Sequence, residues 1–144
     1  MPARYVLDAS AGVDILERTV DGRALGELVR GEDGDEPELW TVEHFHLEVA
    51  KVLRRDVLAG VIDDEQATAL VDVLADWPLN TVSVAPLLTE AWTLRNNLTI
   101  HDALYVVLTR RLEGASLVST DLKLRRTPGV DVPVITPDQL PGRF

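Results

Sequence analysis

Short apolar runs recur along this sequence between longer segments of helical period, and that alternation leaves few architectures open. Tyr5-Val6-Leu7 is the first run and stops at Asp8. Leu39-Trp40-Thr41-Val42, Ala115-Ser116-Leu117-Val118 and Val132-Pro133-Val134-Ile135 follow with the length and apolar character of short strands, and Thr81-Val82-Ser83-Val84 alternates like a strand. A proline inside the last run places it at a sheet edge, because proline has no N–H for the ladder. The intervening segments read as helices. Val13, Ile15 and Leu16 begin one, and Leu25, Leu28 and Val29 share a face over about 22–30. Phe45, Val49, Val52 and Leu53 line a stripe across 43–58. Asp63 or Asp64 caps a further helix through Ala67, Leu70, Val71 and Leu74. Pro86 suits the first turn of a helix running toward Asn96-Asn97. The segment 99–112 is apolar on nearly every side, which marks a buried helix. Strands alternating with helices define an α/β chain with a mainly parallel central sheet flanked by helices. At 144 residues it is expected to form one domain over 1–144, able to bury a core without disulfides or a structural metal.

Composition narrows the chemistry. With no cysteine, thiol catalysis and zinc–thiolate sites are excluded. The opening residues carry no secretory pattern and no apolar stretch approaches a membrane span, so a cytoplasmic location is expected. Acids outnumber bases 24 to 14, giving a net charge of −10. Such a surface repels phosphate backbones, unless acids gather around a cation or a basic partner covers them. The acidic run from Gly31 to Glu36 reads as a solvated loop.

Four acids stand out by position. Open parallel sheets place ligand sites at the carboxyl ends of their strands. Asp8 follows the first strand, and Asp121 follows Leu117-Val118-Ser119-Thr120. Each could instead cap the helix after it. Asp102 is the only acid at the head of the buried helix, where Thr99-Ile100-His101-Asp102 also has capping-box spacing. Glu48 lies on the border of its helix's apolar stripe, where a surface role is equally open. Gathered in one pocket, the four carboxylates would repel one another, and a hard divalent cation, Mg²⁺ or Mn²⁺, is the natural remedy. No P-loop, Gly-x-Ser-x-Gly elbow or His-Glu-x-x-His pair competes with this set.

The segments around these acids carry a resemblance. Tyr5-Val6-Leu7-Asp8-Ala9-Ser10, His46-Leu47-Glu48-Val49-Ala50-Lys51-Val52-Leu53-Arg54-Arg55, Leu98-Thr99-Ile100-His101-Asp102-Ala103-Leu104-Tyr105-Val106 and Leu117-Val118-Ser119-Thr120-Asp121-Leu122-Lys123-Leu124 resemble, in order and spacing, the acid-bearing segments of PIN-domain ribonucleases, and among them the VapC-like toxins of toxin–antitoxin pairs. The resemblance implies a homodimeric, metal-dependent endoribonuclease and a cognate antitoxin that blocks its site. It implies that Asp8, Asp102 and Asp121 bind metal, that Glu48 binds metal or positions the attacking water, and that Ser10 and Ser119 hydrogen-bond the carboxylates or the phosphate. Arg54, Arg55, Lys123, Arg125 and Arg126 become candidates to guide RNA. The competing expectation is a catalytically weak PIN-like module that binds protein.

Overall fold

The computed structural model describes residues 1–141. Val6 and Leu7 are fully buried, so the first strand, β1 (Arg4–Leu7), runs through the centre of the molecule. Helices α1 (Ala9–Glu17) and α2 (Val20–Arg30) lead to β2 (Glu38–Val42). Then come α3 (Phe45–Leu58), α4 (Asp64–Asp76), β3 (Asn80–Val82) and α5 (Ala85–Trp92). The chain closes with α6 (Ile100–Arg111), β4 (Ala115–Val118) and β5 (Val134–Ile135). All pairings are parallel, in the order β3-β2-β1-β4-β5. The α/β class expected from the alternation is therefore observed, with the sheet wholly rather than mainly parallel. Two buried strands of near-continuous apolar sequence, β1 and β4, sit inside it, as a sheet covered on both faces requires.

The order of the strands positions the site. From β1 the chain winds outward through β2 to β3, then crosses back to add β4 and β5 on the other side. The winding direction therefore reverses between β1 and β4, and the loops leaving their carboxyl ends diverge to leave a crevice. Helix α6 lies beneath it, buried from Ala103 through Thr109, as its all-round apolar sequence requires. Gly12 brings α1 hard against α3: a Cβ there would stand 2.6 Å from the Phe45 ring and 3.2 Å from Val49.

Some boundaries depart from the periodicity. Helix α5 ends at Trp92 instead of continuing to Asn97, because the N–H groups of Thr93, Leu94 and Arg95 bond carbonyls three residues back and tighten the chain into turns. Strand β3 stops at Val82, and the Val84 N–H turns to the Glu43 carboxylate at 3.0 Å, short of Pro86. Strand β5 is confined to the two residues after Pro133, whose carbonyl still accepts from Leu117 at 2.8 Å; it is an edge strand, as the proline indicated. Among the described residues no helix is long and apolar enough to cross a membrane.

Candidate active site

Asp8 is the first residue beyond β1, and its two possible roles coincide. It is the N-cap of α1, its Oδ1 accepting from the Ala11 N–H at 2.9 Å and from the Ser10 hydroxyl at 2.7 Å. It is also 6% exposed and lines the crevice. Burial pushes its carboxyl from 3.8 up to about 6. Hydrogen bonds from Ser119, Ala11 and Ser10 oppose that rise, and the nearby Asp102 charge adds to it.

Two serines tie the ends of β1 and β4 together. The Ser10 and Ser119 hydroxyls lie 3.4 Å apart. Ser10 accepts from the Thr120 N–H and Ser119 from the Asp121 N–H, each at 3.1 Å. The Asp8 N–H donates to the Val118 carbonyl at 3.2 Å. Asp121 is thereby held at the crevice, where its own carboxylate accepts from the Lys123 N–H at 2.9 Å. It caps the turn leading into the short 3-10 helix Leu124–Arg126, and it is exposed on the pocket rim.

Asp102 stands in the first turn of α6, whose N-cap Thr99 accepts from the Asp102 N–H at 3.2 Å. Burial raises its carboxyl above the ordinary value; the Thr99 hydroxyl opposes this, and the charges of Glu48 and Asp121 reinforce it. Glu48 enters from α3. Its Oε1 accepts from the Tyr105 hydroxyl at 2.8 Å and lies 3.0 Å from His44 Nε2; Oε2 lies 3.8 Å from His101 Nδ1. The His44 contact is close without the alignment of a full hydrogen bond, and both ring nitrogens are otherwise buried. Burial acts to raise the Glu48 carboxyl, but the contacts with His44, Tyr105 and His101 together bring it below its ordinary value.

These side chains meet in a pocket of about 480 Å³. Asp8, Ser10, Asp14, Glu48, Asp102, Thr120 and Asp121 supply its polar lining, Asp14 being a fifth carboxylate that its place in the sequence did not single out, while Ala9, Val13, Val52 and Leu124 supply the apolar part. Lys51 and Arg55 line it from α3, and Tyr105 lines it from α6. A larger, mostly apolar groove of about 890 Å³ lies elsewhere, against α2 and α4, and contains none of the four acids. The four acids therefore share the smaller cavity.

Of the five basic residues singled out by sequence, Arg55 alone lines the pocket, its guanidinium 3.3 Å from Asp56. Arg125 bonds Thr136 and Asp138. Arg54, Lys123 and Arg126 are exposed outside the lining. Lys51 and Tyr105 were not singled out, yet each sits three residues after a site acid, Glu48 and Asp102 respectively. That spacing puts them on the same helix face and could have found them. The tryptophans stay out of the pocket: Trp77 packs edge-on against Phe45, and Trp92 lies exposed beneath Arg95.

The donor set suits a hard cation. Carboxylate oxygens are the ligands Mg²⁺ and Mn²⁺ prefer, and the carboxyls of Asp8 and Asp102 are raised chiefly by burial, with neighbouring acids adding to the rise. Among the described residues no three His, Asp or Glu side chains already close into a cage.

Acids at the switch point of a parallel α/β sheet are common to several families, and the sequence decides among them. Residues 5–130 match the PIN domain, and the chain belongs to that family. It is 36% identical over 127 residues to ribonuclease VapC1 of Mycobacterium tuberculosis, covering 87% of this chain and 91% of the relative. It is 32% identical over 124 residues to ribonuclease VapC12 of the same species, covering 86% and 92%. Its fold matches the crystal structure of VapBC2 from Rickettsia felis bound to a promoter DNA fragment, with a TM-score of 0.63, 15% identity and coverage of 92% of this chain and 98% of that one. It also matches VapC20 of Mycobacterium tuberculosis, a Sarcin-Ricin loop cleaving toxin, with a TM-score of 0.61, 17% identity and coverage of 82% and 90%.

Proposed function

We propose that this protein is a metal-dependent endoribonuclease acting as the toxin of a toxin–antitoxin pair. The observation that carries the reading is the meeting of Asp8, Glu48, Asp102 and Asp121, from four separate segments, in one pocket at the sheet's switch point. The relatives' names and the family membership support the same activity.

In this reading Asp8, Asp102 and Asp121 hold Mg²⁺ or Mn²⁺, directly or through water. When bound, such an ion supplies charge neutralisation for a phosphate and makes water a better nucleophile. The chain's own residues do the rest. Glu48, kept anionic at neutral pH, orients the attacking water and accepts its proton. Ser10 and Ser119 hold Asp8 and the Asp121 backbone in place. Lys51 and Arg55 meet the phosphates on the α3 side, and Arg54, Lys123 and Arg126 are available to the strand farther from the cut.

A basic antitoxin that covers the acid pocket suits a chain of net charge −10. Large apolar residues left in water, Leu47 on α3 and Leu88 and Trp92 on α5, support a homodimer. The absence of cysteine fits work in the cytoplasm. The alternative, a catalytically weak protein-binding module, leaves unexplained why carboxylates are kept in a pocket where burial opposes their charge.

The test is cleavage of a mixed RNA substrate by the purified protein with Mg²⁺ or Mn²⁺. Excess EDTA should abolish cleavage, and Asp102→Asn should reduce it by about 100-fold or more with an unchanged circular dichroism spectrum. Cleavage that persists in EDTA, or a folded Asp102→Asn protein with full activity, sinks the reading.

A further inference from the structure

Tyr105 does something at the pocket that its place in the core does not require. It is 1% exposed, on a stretch of α6 where the neighbouring residues are Leu104, Val106 and Val107. A phenylalanine would fill the same space. The hydroxyl instead reaches the acid pocket and donates to Glu48 Oε1 at 2.8 Å. Buried as it is, the phenol needs an acceptor, and Glu48 Oε1 supplies it.

The ring that carries this hydroxyl is itself clamped. His44 lies 4.8 Å from the Tyr105 ring and 5.2 Å from the His101 ring, stacked on the latter at 22°. His44 Nε2 also approaches Glu48 Oε1. A glutamate near a helix start has several rotamers open to it, and fixing it costs side-chain entropy. Here the donor is immobilised by the core, so Oε1 is captured and the carboxylate's orientation follows. Oε2, with His101 Nδ1 at 3.8 Å, is the oxygen left for the reacting water.

We propose that Tyr105 is a positioning residue for the RNA-cleaving reaction, its buried hydroxyl fixing the Glu48 carboxylate through Oε1 so that Oε2 is presented to the pocket. The assignment rests on the ribonuclease reading for the reaction it serves, whereas the tether itself is independent of it.

The test is a double-mutant cycle of Tyr105→Phe, Glu48→Gln and the two combined, read in kcat and KM for RNA cleavage. Tyr105→Phe should lower kcat by about 10- to 100-fold, the scale of one charge-assisted hydrogen bond, with KM within about twofold. In the Glu48→Gln background it should cost nothing more, since a residue acting through Glu48 loses its effect when Glu48 is gone. Equal, additive losses in both backgrounds overturn the proposal. A second measurement needs no RNA: the carbon-13 carboxyl resonance of Glu48, at fixed neutral pH, should move in Tyr105→Phe. A resonance that stays in place refutes the tether whatever the kinetics. A resonance that moves in a protein that cleaves no RNA with any divalent ion upholds the tether and removes the ribonuclease reading instead.

Discussion

Replacing Asp8 by asparagine should make the metal-free protein more stable at neutral pH while removing its activity. The carboxyl rises from 3.8 to about 6 on folding, with burial as the main cause. The folded state thus holds this proton more tightly than the unfolded chain, and stability falls as pH climbs through the window from about 4 to 6. Above that window the ionised, buried carboxylate costs about 3 kcal/mol. Below it both states are protonated and the cost vanishes. Asparagine carries no charge, and its oxygen can still accept from the Ala11 N–H, so the cap of α1 survives. Urea unfolding in EDTA, followed by tryptophan fluorescence, should show Asp8→Asn ahead of the parent protein by up to about 3 kcal/mol at pH 7.5. The advantage should shrink toward zero at pH 4. A divalent cation should reverse the order at pH 7.5, because it stabilises only the protein that binds it. An Asp8→Asn protein that is less stable at pH 7.5, or shifted equally at both pH values, would refute the claim that charge burial at Asp8 is what the fold tolerates for the sake of the site.

Other expectations can be checked with the same proteins and assays. Gly12→Ala forces a methyl to within 2.6 Å of the Phe45 ring and should lower stability by about 1–3 kcal/mol, seen as an earlier urea midpoint; an unchanged midpoint would mean α1 and α3 can separate freely. Lys51→Ala and Arg55→Ala should each raise KM for RNA several-fold and lower the salt dependence of binding by about one ion. An unaltered salt slope in both would take these residues off the phosphate path.

Much of the fold was legible because its signals are local. Tyr5-Val6-Leu7 and Ala115-Ser116-Leu117-Val118 read as strands from their own apolarity, and α6 read as buried from its all-round hydrophobicity. The missed end of β3 depended on a partner the local pattern does not contain, the Glu43 carboxylate that meets the Val84 N–H. At the site, Asp8 and Asp121 could be placed from strand ends alone. Glu48 could not, since only the approach of α3 to α1 through Gly12, together with the Tyr105 contact, turns a border position into a pocket one. Capping and a place in the pocket are not exclusive at Asp8: its Oδ1 accepts from the Ala11 N–H while the residue lines the pocket. Among the basic residues, sequence could list the cations but not their directions. Arg125 is bound to Asp138, and Lys51 needed the helical spacing from Glu48 to be noticed.

The strand order has a consequence for how the molecule comes into being. Asp8 is made early and Asp121 late, yet the crevice between them exists only once β4 has settled beside β1 and the Ser10 and Ser119 hydroxyls have met. A chain still emerging from the ribosome already carries Asp8, Glu48 and Asp102, but the wall that organises them has not arrived. Because this pairing joins distant parts of the chain, it is also among the slower contacts to form. The crevice therefore cannot form before β4 has paired with β1.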